Sequence, residues 1–142
     1  MTENSKISNF YDLNAWKEGH GLVLSIYKIT KDFPRDELFG LVSQMRRAAV
    51  SVTSNIAEGF SRRSLKEKVQ FYSMASGSLT ELHNQLMVAK DVGYITEVNF
   101  EIIQSQVVKT HMILNGLIGK TKEFINHDRI SSFELRDSSF DV

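Results

Sequence analysis

Apolar residues recur at spacings of three and four through four successive stretches of this chain, with few interruptions. That spacing puts side chains on one face of a helix, whereas a half-buried strand needs alternation by two. In the first stretch Leu13, Trp16, His20, Val23, Tyr27 and Thr30 form one stripe. Leu22, Ile26, Ile29 and Phe33 form an adjacent one. Together they predict a helix over about residues 12–32 with a broad apolar face and Asp12 as its cap. Gly19 and Gly21 weaken it, and close packing against a neighbour is the expected compensation. Phe33-Pro34 ends it, because the residue before a proline is pushed out of the helical region. Pro34 is the one proline in 142 residues.

A second helix is expected over about 35–59, with Asp36 and Glu37 at the positive end of its dipole. Its seam reads Leu38, Leu41, Met45, Ala48, Val52 and Asn55, and Gly59 suits a left-handed cap. Ser64 followed by Glu67 has capping-box spacing and opens a third helix, about 64–92. Leu65, Tyr72, Ala75, Leu79, Leu82, Leu86 and Ala89 form its seam, and Val92-Gly93 closes it. Thr96 has the side chain of an N-cap for a fourth helix, about 96–126. Ile103, Val107, Thr110, Leu114, Leu117 and Phe124 lie on one face of that helix. Residues 127–142 keep no period and read as a flexible tail. Long helices with short links predict an all-α, up-down-up-down four-helix bundle. The expected organisation is one domain over 1–142 with its core in 10–126.

Several chemistries are excluded early. The chain has no cysteine, so it can build no disulfide, thiolate zinc site or cysteine nucleophile. That usage fits a cytoplasmic protein. The stretch MTENSKISNF lacks a basic region followed by an apolar core, so no signal peptide is expected. No apolar run approaches the roughly 20 residues that span a bilayer, and no membrane partner is expected. A di-metal bundle needs Glu-x-x-His pairs, and none occurs. His20, His83, His111 and His127 sit in different segments without paired ligand spacing. His20, on the first seam, reads as a hydrogen-bonded core or interface histidine. Neither a Gly-x-Ser-x-Gly elbow nor a phosphate-binding loop is present. The expectation is a protein with no catalytic residue, metal, cofactor or small-molecule substrate.

Asn55 and Glu58 are three apart and share a helix face, and so do Ser78 and Glu81. Each pair interrupts or borders an apolar seam. A small ligand or acid–base site is one reading. The reading favoured by the pattern is a set of structural hydrogen-bonding groups that fix helix register. A buried polar group left unpaired costs ~1–3 kcal/mol, so partners are expected. Glu58 lies just before the helix two–three link and Glu81 well beyond it, so the two need not meet.

Positive and negative residues balance, 17 against 17. Total charge therefore gives no argument for nucleic acid, and only a local patch can. One exists: Arg46, Arg47, Arg62, Arg63, Lys66 and Lys68 stand against Glu58 and Glu67 alone. Arg62, Arg63 and Lys66 should gather at one bundle end, with Arg46 and Arg47 farther back along helix two. These are candidate phosphate contacts. A solvated helix end with intermolecular salt bridges is the competing explanation.

Three stretches carry a resemblance to a known family: FYDLNAWKEGHGLVLSIYKITKDFP, GLVSQMRRAAVSVTSNIAEGFSRRS and FYSMASGSLTELHNQLMVAKDVGYI. They resemble the four-helix-bundle proteins encoded in intervening sequences of 23S ribosomal RNA genes, the S23 ribosomal protein family. The resemblance covers about residues 10–125 and implies a homopentamer with a central pore. It extends to accessory proteins of diversity-generating retroelements, which share the fold and partner a reverse transcriptase and nucleic acid. The combined expectation is a non-enzymatic oligomer that binds structured RNA or a ribonucleoprotein. A protein-interaction scaffold without nucleic acid is the alternative.

Overall fold

The structure, a computed structural model, describes residues 6–140, with side chains through Ser131. All regular structure among the described residues is helical. Four helices dominate: α1 (Asn14–Thr30), α2 (Ser43–Ser61), α3 (Leu65–Asp91) and α4 (Glu97–Phe140). The principal contacts run α1–α2, α2–α3, α3–α4 and α4–α1, so α2 and α4 stand on a diagonal. The short links make sequential neighbours antiparallel, and the architecture is the four-helix bundle that the spacing predicts. No described helix is long and apolar enough to cross a membrane.

Leu22, Ile26, Met45, Val52, Ile56, Leu79, Leu82, Leu86, Val107 and Leu114 are fully enclosed where the four faces meet. Their burial drives folding by removing apolar surface from water. The α3 seam from Tyr72 to Ala89 is buried as expected, while Leu65 at its start is half-exposed. Ser64 accepts the Glu67 N–H at 3.4 Å, and Thr96 accepts the Asn99 N–H at 3.1 Å. Gly93, at φ 88°, closes α3. Its N–H donates to Lys90 O and that of Tyr94 to Ala89 O. This is a Schellman cap, for which glycine is suited because it lacks a Cβ.

Three elements differ from expectation. Asp12 does not cap α1; its carboxylate accepts the Asn9 N–H at 3.1 Å and closes a 3-10 turn, Phe10–Asp12. The second helix is broken at its start. A 3-10 turn (Arg35–Glu37) passes into a wide π turn (Leu38–Val42), and Gly40 lies at φ −111°, ψ −112°. This irregular turn shifts the helical phase. The buried line of α2 is Met45, Ala48, Ala49, Val52, Thr53, Ile56 and Gly59, which keeps Met45, Ala48 and Val52 of the expected seam. Leu38 is exposed, and Asn55 sits beside the seam and not on it. Finally, the fourth helix does not stop near Asn126. It continues through the expected tail to Phe140, because no glycine or proline follows Gly119 to interrupt it. Residues 141–142 lie outside the described residues.

The inner line of α1 is Ala15, Gly19, Leu22, Val23, Ile26 and Thr30. A Cβ on Gly19 would lie 3.1 Å from the Thr53 methyl, so its small size lets α1 and α2 approach. Gly21 has no such neighbour. His20 is exposed, stacked on Trp16 at 4.6 Å between centroids, and not in the core. The larger side chains of the first stripe flank the contact that the small ones make.

Candidate nucleic-acid interface

The basic residues reach the surface from two helix ends. Gly59 remains helical and buried two residues before α2 ends, so it is not the left-handed cap its position suggests. A Cβ there would meet the Tyr72 ring at 2.6 Å. Glycine is thus needed for close α2–α3 contact. Arg62 leaves the helix in extended conformation, its N–H donating to Gly59 O at 3.2 Å. Residues 62–64 alone then join α2 to α3. The chain has no length with which to carry Arg62 and Arg63 away from the bundle end.

The six candidate cations divide by what they touch. Lys68 donates to Phe60 O at 2.7 Å and Gly59 O at 3.4 Å, with its ammonium 5.3 Å from the Phe60 ring centroid. It therefore satisfies carbonyls at the negative end of α2. Burial lowers its pKa below the ordinary lysine value. Arg46 does the same for α1. Its Nε donates to Thr30 Oγ1 at 3.0 Å and its Nη2 to Tyr27 O at 3.4 Å, with the guanidinium over the Tyr27 ring. Arg62 is folded back on Glu58 at 3.3 Å and lies over the Phe71 ring. That exposed pair contributes little stability and is readily exchanged for another anion. Arg47, Arg63 and Lys66 are exposed and have no hydrogen-bond or ion-pair partner among the described residues.

Two further cations belong to this end. His83 bonds Gln104 at 3.0 Å and sets the antiparallel α3–α4 register. Followed along both helices, that register brings exposed Lys120 and Lys122 to the height of Lys66. The sequence carried the signal, because the short link after α3 fixes which residues of α4 stand beside its beginning.

The polar group is smaller than its spacing implies. Asn55 Nδ2 donates within α2, to Ser51 O at 2.9 Å and Ser51 Oγ at 3.1 Å. Ser51 Oγ and Ser78 Oγ, 2.8 Å apart, make the bond between helices. Asn55 and Ser78 are thus brought together through Ser51, a small residue outside the two polar pairs. Exposed Glu58 turns to Arg62, and Glu81 accepts from Gln85 Nε2 at 3.2 Å. Arg47, Ser51 and Glu81 line a groove between α2 and α3. No cluster of three or more His, Asp or Glu side chains able to hold a metal occurs among the described residues.

The 23S rRNA-intervening sequence protein family model matches residues 11–116. No curated protein matches the chain. Among solved structures, similarity extends to a protein of unknown function from the S23 ribosomal protein family of Bacteroides thetaiotaomicron VPI-5482. The two are 19% identical with a TM-score of 0.69, over 74% of this chain and 95% of that one. At that identity the likeness is one of fold. The family match stops at Gly116, before the segment of α4 that passes the beginning of α3. By that match the chain belongs to the 23S rRNA-intervening sequence protein family.

Proposed function

We propose that this protein is a non-enzymatic, cytoplasmic oligomer that binds structured RNA or a ribonucleoprotein through the basic end of its bundle. One observation carries the reading: Arg63 and Lys66 are exposed and unpartnered among the described residues, beside the exchangeable Arg62. Lys120 and Lys122 extend the same surface. Cations held by short links and helix ends meet phosphates with little further ordering, and the family's ribosomal-RNA context supplies a polyanion of the right class. Arg47 extends the surface or serves subunit contacts. Arg46 and Lys68 act from behind, by holding the helix ends. The oligomer is a homopentamer, as the family resemblance implies.

The test is titration of a structured ribosomal RNA fragment and of duplex DNA at two salt concentrations. Binding should weaken as salt rises and should fall when Arg62, Arg63 and Lys66 are replaced by alanine. Absence of binding at low salt, or an unchanged affinity in that variant, sinks the proposal. A protein-interaction scaffold is the second reading, favoured by the exposed apolar side chains of α4 and Phe39. It predicts an oligomer that co-purifies with protein and not with RNA after nuclease treatment.

A further inference from the structure

A cleft of about 360 Å³ lies between α1 and α4, at the end of the bundle opposite the α2–α3 link. That volume falls at the small end of the range for small-molecule sites. The Glu18–Lys109 ion pair, at 3.1 Å, fixes the antiparallel register of the two helices here. Followed from that pair, Gly21 stands opposite Gln106, Ser25 opposite Ile102 and Lys28 opposite Asn99. The cleft is therefore a strip about 10 Å long, and its chemistry changes along its length.

Charge gathers at one end of the strip. Lys28 and Asp32 are exposed and lie one turn apart on α1, yet neither pairs with the other or with any other described residue. Asn99, in the first turn of α4, lines the cleft with them. The negative end of the α1 dipole and the positive end of the α4 dipole meet at this same end. A molecule carrying an ammonium and a carboxylate side by side suits such a place. The middle of the strip is apolar, built from Ile29, Ile102 and Ile103, and Ile102 remains 58% exposed.

The far end is polar and neutral. It holds the Ser25 hydroxyl and the Gln106 amide. Gln106 Oε1 is enclosed and accepts no hydrogen bond among the described residues. An enclosed acceptor without a donor is costly, and a turn of the terminal amide towards a donor in the cleft removes that cost. Gly21 leaves room for the turn. A Cβ there would meet nothing within 4 Å, so no close helix contact accounts for this glycine as it does for Gly19. Gly21 weakens α1 and keeps the cleft open in front of Gln106.

We propose that this cleft binds a free α-amino acid whose aromatic side chain ends in a hydroxyl, the chemistry of tyrosine. The carboxylate accepts from Lys28 and the Asn99 amide, and the ammonium meets Asp32. The ring lies on the isoleucines. The hydroxyl donates to Gln106 Oε1 and accepts from Ser25. A side chain without a terminal donor leaves Gln106 unpaired, and a molecule lacking either charge leaves Lys28 or Asp32 without a partner. The site thus discriminates by what a wrong ligand strands. It is independent of the RNA contact proposed for the other end of the bundle.

Equilibrium dialysis of the full chain against labelled tyrosine tests the assignment, with phenylalanine, tyramine and hydroxyphenylpropionate as competitors. Tyrosine should bind at one site per chain, and each competitor should bind roughly tenfold or more weakly. Gln106→Leu should remove the preference for tyrosine over phenylalanine while phenylalanine binding persists. Lys28→Gln, at an exposed position, should weaken tyrosine and leave tyramine, which has no carboxylate, unchanged. Gly21→Leu should fill the cleft and abolish binding, with thermal unfolding no earlier than in the unsubstituted chain, because leucine is the better helix former. No binding of tyrosine by the unsubstituted chain overturns the site. So does equal affinity for phenylalanine, or full affinity in Gly21→Leu.

Discussion

The two arginine pairs of this protein are alike in sequence and unlike in use. Within Arg46-Arg47, the first residue turns inward to cap α1 through Thr30 and Tyr27, while the second stands in solvent. Within Arg62-Arg63, the first is folded over Phe71 onto Glu58, while the second has no partner among the described residues. For Arg46-Arg47, one step along the chain moves a side chain about a quarter turn around α2, enough to separate a structural cation from a surface one, whereas Arg62 and Arg63 lie in the extended link beyond the helix. Charge counted along a sequence therefore overstates what a polyanion can meet.

That contrast can be broken or sharpened by substitution. The largest effect should come from Arg62, Arg63 and Lys66 changed together to alanine. RNA affinity at low salt is expected to fall by roughly a hundredfold, with the salt slope shallower by about two to three, as loss of that many phosphate contacts requires. Thermal unfolding should shift little, because exposed pairs contribute little. Next comes Gly59→Ala. Forcing a methyl onto the Tyr72 ring should cost about 2 kcal/mol in denaturant unfolding. RNA affinity measured well below the melting temperature should stay put. A stable Gly59→Ala chain would mean that α2 and α3 part easily at this end. Lys68→Met or Arg46→Met should each cost about 1.5 kcal/mol, from lost bonds of a charged donor to carbonyl or hydroxyl oxygen. The salt slope of binding should not move. A change in slope without a change in stability would return these two residues to the binding surface.

The smallest effect concerns pH. Burial lowers the pKa of His111, and the positive charge of His83 lowers it further. The unfolded chain takes up that proton near its ordinary value of 6.5, the folded chain only at lower pH. Stability contributed by this group should thus be full above pH 6.5, decline as pH falls below it, and level off beneath the folded pKa. Unfolding midpoints compared at pH 7.5 and 5.5 should show a decline that His111→Gln reduces.

Much of this architecture is legible in the residues. The α3 seam, the Ser64 and Thr96 caps and the Gly93 turn follow local rules, and the structure obeys them. Asn55 lies off the seam because the buried line steps four from Val52 to Ile56, where the expected count steps three. The extension of α4 has no apolar period to announce it, and only the lack of glycine and proline after Gly119 hints at it. Among the candidate cations, clustering at the α2–α3 link could be read from its brevity. The capture of Arg46 and Lys68 could not, since it depends on carbonyls freed at helix ends, and for Arg46 on the Thr30 hydroxyl as well, that only the folded chain brings within reach.

The most direct measurement compares two double variants, Arg63→Ala/Lys66→Ala and Arg46→Met/Lys68→Met, in one salt titration against the same structured RNA. The first should bind more weakly, with a slope shallower by about two, and unfold like the unsubstituted chain. The second should keep the slope and unfold earlier. Equal losses of slope in both, or none in the first, would contradict the assignment of RNA contact to the uncommitted cations of the bundle end.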